Sequence, residues 1–289
     1  MSTPAEASAL VWAEPAHANL IGEVVDANPG IEWVQLPYAG IESVVDVVTA
    51  RGAIEWYCGK GVYAEPVAEH ALMLALAGLR GMATYARADR WTAPQGHNLL
   101  RARVTVLGGG GITESLLRLL SPFGCDVTVV RNRPRLSAPP GAASTSTAGA
   151  ARVVGSEALA DILPGTDVLV LALALTPATT GIIGAAELAA LPSHAWVVNV
   201  ARGGHIVTDD LVAALRAGTI GGAALDVTDP EPLPEDHPLW SLPNCLITPH
   251  IGNTPEMGLA LLADRVAVNV SRRIAGKPLI GPVHLDLGY

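Results

Sequence analysis

Between Arg103 and Gly252 the chain alternates short, continuous apolar runs with amphipathic helical segments, and this alternation restricts the fold more than any other feature. Val104–Leu107, Val127–Val130, Val168–Leu175, Trp196–Val200, Ala223–Val227 and Cys245–Thr248 are rich in Val, Leu, Ile and Ala at consecutive positions. A half-exposed strand would alternate apolar and polar residues, so these runs predict strands covered on both faces. Between them lie helical segments at Glu114–Leu120, Glu157–Leu163, Ala185–Leu191 and Asp209–Ala217. The last has Thr208 or Asp209 as N-cap and Gly218 just past its end. Strand–helix alternation on this scale predicts an α/β protein with a doubly wound parallel sheet of the Rossmann type.

The preceding residues read as a smaller α/β unit, with short strands at Leu10–Trp12, Glu32–Gln35 and Ile54–Tyr57 and a long helix at Ala64–Leu79. Met257–Ile274 has helical spacing and ends in Gly276-Lys277-Pro278; its length suits a helix returning the chain to the first unit. At 289 residues two domains are expected. Residues 1–92 completed by 263–289 are assigned to the smaller one, and 93–262 to the sheet domain. Pro139–Ala151 is low in complexity and reads as a surface loop.

Composition removes several function classes. Half of the residues are hydrophobic and 16% are charged, which excludes a disordered chain. The formal net charge of −9 argues against nucleic-acid binding, which needs a basic face. The apolar helix Val67–Leu79 carries Glu69 and His70 and is shorter than the roughly 20 residues that span a bilayer, so no membrane association is expected. Met1–Ala18 shows no basic start before an apolar core, so no secretory signal is read and a cytoplasmic protein is expected. The three cysteines, Cys58, Cys125 and Cys245, lack metal-ligand spacing, and no metal is expected.

After the first apolar run of the sheet domain comes Gly108-Gly109-Gly110-Gly111-Ile112-Thr113, followed by a helix. Glycines there let the backbone turn tightly and bring N–H groups against a pyrophosphate at a helix N-terminus. Gly108, Gly110, Gly111 and Ile112 are the expected cofactor contacts. Thr113 stands where the third glycine of G-x-G-x-x-G would pack helix against strand, which predicts a wider spacing and weaker cofactor binding. The second strand runs into Arg131-Asn132-Arg133, and no Asp or Glu occurs from Val127 through Ser156. A carboxylate there would bond the ribose of NAD, whereas a guanidinium forks onto a 2′-phosphate. NADP(H) is therefore favoured through Arg131, Asn132 and Arg133, with NAD(H) and a plain solvated basic loop as alternatives.

Arg202, Glu231 and His250 each follow the carboxyl end of one of three successive late strands, the edge where open α/β sheets bind ligands. Their chemistry suits reduction of a 2-oxo acid. Arg202 can hold the carboxylate and polarise the carbonyl. His250 as imidazolium can donate a proton to the carbonyl oxygen, and Glu231 at the imidazole would favour that form and orient it.

Asn199-Val200-Ala201-Arg202-Gly203-Gly204, Ala224-Leu225-Asp226-Val227 leading to Glu231-Pro232-Leu233, and Thr248-Pro249-His250-Ile251-Gly252 resemble the signatures of the D-isomer-specific 2-hydroxyacid dehydrogenases. Val67-Ala68-Glu69-His70 with Arg80, and Leu175-Thr176-Pro177 with Thr179, are also similar. The resemblance implies a flavodoxin-like smaller domain, an active site in a cleft between domains, and a homodimer built around the cofactor domains. It implies Arg202 as substrate anchor, Glu231 and His250 as acid–base pair, and Asp226 as a nicotinamide-carboxamide contact. Thr176 and Ala201 are implied as further cofactor contacts. Tyr38-Ala39-Gly40 resembles the loop whose N–H groups hold the substrate carboxylate. The expected activity is reduction of a small 2-oxo acid of the glyoxylate or hydroxypyruvate type. Two alternatives are D-3-phosphoglycerate dehydrogenase, for which Arg51 or Lys60 would have to meet a phosphate, and a catalytically silent nucleotide sensor. Glu69-His70, inside a helix with apolar neighbours, reads as packing or capping rather than as a second acid–base pair.

Overall fold

The computed structural model describes residues 7–132 and 151–285. Arg133 and all of the Pro139–Ala151 segment except Ala151 lie outside the described residues. The described parts of Met1–Tyr63 and Asn253–Tyr289 form one compact unit, and those of Ala64–Gly252 a second.

In the smaller unit, β1 (Ala9–Val11), β2 (Trp33–Gln35) and β3 (Glu55–Tyr57) form a parallel sheet in sequence order, with Leu10 opposite Val34 and Val34 opposite Trp56. Ile21, Val34, Leu36, Ile41, Val48 and Trp56 make its core. Two six-residue helices, Ile21–Asp26 and Val45–Ala50, were not legible in the sequence. Each is under two turns, too short for a 3.6-residue period to show, and neither begins with a side-chain cap. The helix Pro255–Ile274 belongs to this unit and is tied in by Asn269, fully buried, whose Nδ2 donates to Gln35 Oε1 at 2.9 Å. Its Oδ1 accepts from Ile280 N–H at 2.8 Å, so the buried amide is satisfied.

The larger unit carries seven parallel strands: β4 (Arg103–Leu107), β5 (Asp126–Val130), β6 (Arg152–Val154), β7 (Val168–Leu171), β8 (Trp196–Asn199), β9 (Gly222–Leu225) and β10 (Cys245–Ile247). Their order, β10-β9-β8-β7-β4-β5-β6, reverses between β4 and β7, which is the doubly wound Rossmann-type arrangement. Strands β7, β8 and β9 are buried at every residue, as their unbroken apolar runs require. Strand β6 was not recognised in the sequence; its three residues follow the low-complexity segment and pair Val153 with Val129.

Strand β7 ends at Leu171 rather than Leu175, and the turn after β4 passes close to the residue that follows it. Gly108 has φ +108°, and a Cβ there would lie 2.2 Å from the carbonyl oxygen of Ala172. The helix Ala64–Leu79, assigned from sequence to the smaller domain, packs instead within the larger unit. Gly78 admits the Trp196 ring so closely that a Cβ would lie 2.4 Å from it, and Ala68, Ala71, Leu74 and Ala75 share a core with Val104, Val170 and Val198. Residues 253–262, assigned to the sheet domain, fall in the smaller unit as the start of its long helix.

Candidate active site

The helix Gly111–Leu120 begins directly at the glycine turn, with Gly110 as its extended N-cap. A Cβ at Gly110 would meet no atom of the described residues within 4 Å, so among them the turn leaves an open cradle over the helix N-terminus. Free N–H groups and an open backbone surface fit a pyrophosphate. The Arg131 side chain, at the end of β5, lies against the same turn: its Cδ, Nε and Nη1 are 2.9–3.1 Å from where a Gly109 Cβ would sit. Asn132 beside it is exposed. Thr113 is buried, and its hydroxyl donates to the carbonyl of Gly108 at 2.9 Å. The residue in the third-glycine position therefore pins the turn to the helix with a hydrogen bond of its own.

Five residues past the end of β7, Thr176 opens a tight turn. Its N–H donates to Thr179 Oγ1 at 2.8 Å, and its carbonyl accepts from the N–H groups of Thr179 and Thr180. At the end of β8, Asn199 organises the loop that carries Arg202. Its Oδ1 accepts from Ala201 N–H at 3.0 Å, and its Nδ2 donates to the Arg202 carbonyl at 2.9 Å. His205, fully buried, places Nδ1 2.9 Å from that same carbonyl. The Arg202 backbone is thus held from both sides, and its Nη1 donates to the Ala201 carbonyl at 2.7 Å. The clamp by Asn199 and His205 was missed in the sequence reading, although both residues flank Arg202 within three positions.

Asp226, the first residue after β9, is only 3% exposed. Its Oδ1 accepts from the Thr248 hydroxyl at 2.6 Å and Ile251 N–H at 2.9 Å, with His70 Nε2 at 3.2 Å, and its Oδ2 accepts from Gly252 N–H at 2.9 Å. Burial alone would raise its pKa, but hydrogen bonds from His70, Thr248, Ile251 and Gly252 outweigh burial and lower it to about 2. The Asp226 carbonyl accepts from His250 N–H at 2.8 Å. Residues 248–252 therefore wrap around one carboxylate, which accounts for Gly252, where a Cβ would come within 2.9 Å of Oδ2. His250 sits in the left-handed region at φ +54°, a cost that a non-glycine residue bears only where its surroundings fix it.

From that turn His250 places Nδ1 2.6 Å from Oε1 of Glu231, within hydrogen-bonding distance. The structure thus brings Glu231 and His250 into direct contact, with Arg202 at the end of the strand beside theirs. His70, read from sequence as packing or capping, is instead a hydrogen-bonding partner of Thr248 at 3.0 Å and of Asp226.

In the smaller unit, Tyr38-Ala39-Gly40 follows β2. The Tyr38 carbonyl accepts from Gly59 N–H at 2.7 Å, which ties this loop to the one after β3. Tyr63 donates its hydroxyl to the Pro37 carbonyl. Burial raises the Tyr38 phenol above its ordinary range, so it stays a neutral hydroxyl. Ala39 is exposed, and no described protein acceptor takes its N–H or that of Gly40.

Among the described residues no helix is long and apolar enough to cross a membrane. The sequence profile described as D-isomer specific 2-hydroxyacid dehydrogenase, NAD binding domain, matches residues 70–252. An uncharacterised protein from the proB 3′ region of Corynebacterium melassecola is 39% identical over 92% of this chain and 86% of its own length. The glyoxylate/hydroxypyruvate reductase A of Yersinia enterocolitica is 33% identical over 69% of this chain, an alignment spanning 60% of that enzyme. A D-isomer specific 2-hydroxyacid dehydrogenase of Xanthobacter autotrophicus Py2, solved with NADPH and MES, superposes with a TM-score of 0.79 at 30% identity, covering 100% of this chain and 87% of that one. A family profile matching more than half of the chain, on the strands that carry the glycine turn and Arg202, Glu231 and His250, makes this protein a member of the D-isomer-specific 2-hydroxyacid dehydrogenases.

Proposed function

We propose that the protein reduces a small, unphosphorylated 2-oxo acid of the glyoxylate or hydroxypyruvate class to the D-2-hydroxy acid, with NADPH as the favoured reductant. The observation that carries this reading is the 2.6 Å contact between His250 Nδ1 and Glu231 Oε1 at the carboxyl edge of β9 and β10. With Nδ1 engaged by a carboxylate, Nε2 is the ring atom left to face a substrate oxygen.

Gly108, Gly110, Gly111 and Ile112 would hold the pyrophosphate, Arg131 and Asn132 the adenosine end, and Thr176, Ala201 and Asp226 the nicotinamide side. When bound, the cofactor supplies the hydride that reduces the carbonyl carbon. The chain's residues do the rest. Arg202 pairs with the substrate carboxylate and draws charge onto the carbonyl oxygen. The N–H groups of Ala39 and Gly40, in the Tyr38–Gly40 loop, are donors suited to a substrate carboxylate. His250 gives its Nε2 proton to the carbonyl oxygen as the alkoxide charge develops, leaving a neutral imidazole oriented by Glu231. In the reverse direction the neutral ring takes the proton back.

Support for NADPH comes from Arg131 lying against the glycine turn and from the bound NADPH of the Xanthobacter relative. Of the two cations that would have to meet a phosphate, Arg51 is already paired with Asp26 at 2.6 Å, which counts against a phosphorylated substrate. A silent sensor is disfavoured because the chain keeps Arg202, Glu231 and His250. The exposed apolar side chains of Met73, Met82 and Trp91 support a homodimer contact along the helix Ala64–Leu79 and the arm that follows it. The three unpaired cysteines suit a cytoplasmic protein. The test of the chemistry is His250→Ala, which should lose roughly 10²–10⁴-fold in turnover of the 2-oxo acid. Wild-type turnover in that variant would remove the proton-donor assignment.

A further inference from the structure

Thr248, two residues before His250, meets His70, 178 positions earlier in the chain. The Thr248 hydroxyl has a single proton, and its 2.6 Å contact with the ionised Asp226 carboxylate uses it. At the 3.0 Å contact with His70 the Thr248 oxygen must then be the acceptor, so the proton of that contact sits on His70 Nε2. The same N–H faces Asp226 Oδ1 at 3.2 Å. One imidazole N–H therefore closes a triangle with a hydroxyl and a carboxylate. His70 is 12% exposed and stands on the helix Ala64–Leu79, within the same compact unit as Asp226 and Thr248.

We propose that His70 is a positioning residue for proton transfer, acting through Asp226 and Thr248 on the turn that aims His250. This rests on the reading of His250 as proton donor. Two features make the turn dependent on outside support. His250 is held at φ +54°, a conformation that relaxes to negative φ when its anchors loosen. The anchors are the bonds from Thr248, His250, Ile251 and Gly252 to the side chain and carbonyl of Asp226. Without the His70 donor, Thr248 loses the partner that fixes its hydroxyl, and Asp226 loses one of its four side-chain donors. The imidazole of His250 would then spend part of its time turned away from the carbonyl oxygen.

The experiment compares wild-type protein with His70→Leu, which removes the donor, His70→Gln, whose amide nitrogen reaches the position of Nε2, and Thr248→Val, which removes the bridging hydroxyl. In His70→Leu and Thr248→Val, kcat should fall by roughly 10- to 100-fold, the scale of a misaligned catalytic group, while NADPH affinity changes by less than about threefold. The solvent deuterium isotope effect on kcat should rise, because proton delivery becomes the slower event, and His70→Gln should restore both quantities. Hydrogen exchange of the Ile251 and Gly252 amides, measured without substrate, should quicken in His70→Leu and recover in His70→Gln, with exchange in β7 and β8 unchanged. Wild-type kcat and wild-type exchange in His70→Leu would overturn the proposal. If His250→Ala keeps full turnover, the donor reading fails on its own. The exchange measurement still decides whether His70 holds the turn.

Discussion

Nδ1 of His250 lies 2.6 Å from Oε1 of Glu231, and each side chain is about half exposed. The pair is thus open enough to meet a substrate and near enough to share a proton. Its partners reach this contact from the loops after β9 and β10, neighbouring strands in the sheet. Glu231→Gln keeps the shape and removes the charge beside the His250 ring. It should lower kcat by roughly 10- to 100-fold with little change in cofactor affinity, measured by steady-state kinetics and NADPH titration. Equal kcat in the variant would mean that the carboxylate has no part in proton transfer.

Two glycines of the phosphate turn should fail in different ways. Gly108→Ala forces a Cβ to within 2.2 Å of the Ala172 carbonyl at φ +108°, so it should cost stability, on the order of 3 kcal/mol or more, in denaturant unfolding. Gly110→Ala meets no atom of the described residues within 4 Å and should leave stability nearly unchanged. It fills the cradle instead, and NADPH affinity should drop by about tenfold or more. If both variants lose stability alike, the cradle has been misplaced.

Arg131 should decide between the two cofactors. Its guanidinium lies against the glycine turn, and Arg131→Ala should weaken NADPH binding by roughly 10- to 100-fold, the worth of a charged hydrogen bond, while NADH binding stays within about threefold. Titration of each cofactor against both proteins checks this. An equal loss for NADH and NADPH would assign Arg131 to the pyrophosphate or to packing.

Asp226 gives a prediction in acid. Its pKa falls from the ordinary 3.8 to about 2 on folding, so the carboxylate's share of stability is fully present above about pH 4 and is lost as the pH falls toward 2. The gap corresponds to roughly 2–3 kcal/mol. Asp226→Asn should remove this part of the pH dependence, and unfolding free energies at pH 6 and near pH 2 should differ less in the variant than in wild-type protein. An unchanged slope would mean that Asp226 titrates alike in both states.

Six of the seven strands of the larger unit were legible because strands covered on both faces leave unbroken apolar runs, and the glycine turn was legible because it falls between such a run and a helix. That Arg202, Glu231 and His250 follow successive strands was legible from the strand pattern alone. Other features were hidden for identifiable reasons. His70 sits in an apolar helix, and nothing local shows that its ring meets Thr248. Thr113 looked like a defect in the glycine pattern, yet a hydroxyl can supply a bond to the Gly108 carbonyl that a glycine cannot. The assignment of Ala64–Leu79 to the smaller domain followed chain continuity, whereas the Gly78–Trp196 contact that places it in the larger unit is long-range.

The measurement that bears most directly on the account is oxidation of NADPH and NADH, side by side, by the purified protein with glyoxylate, hydroxypyruvate, phenylpyruvate and 3-phosphohydroxypyruvate. The account predicts turnover of glyoxylate or hydroxypyruvate with NADPH, slower turnover with NADH, and little with the phosphorylated acid. Tight NADPH binding without turnover of any acid would contradict it and would make the protein a nucleotide-binding relative of these enzymes.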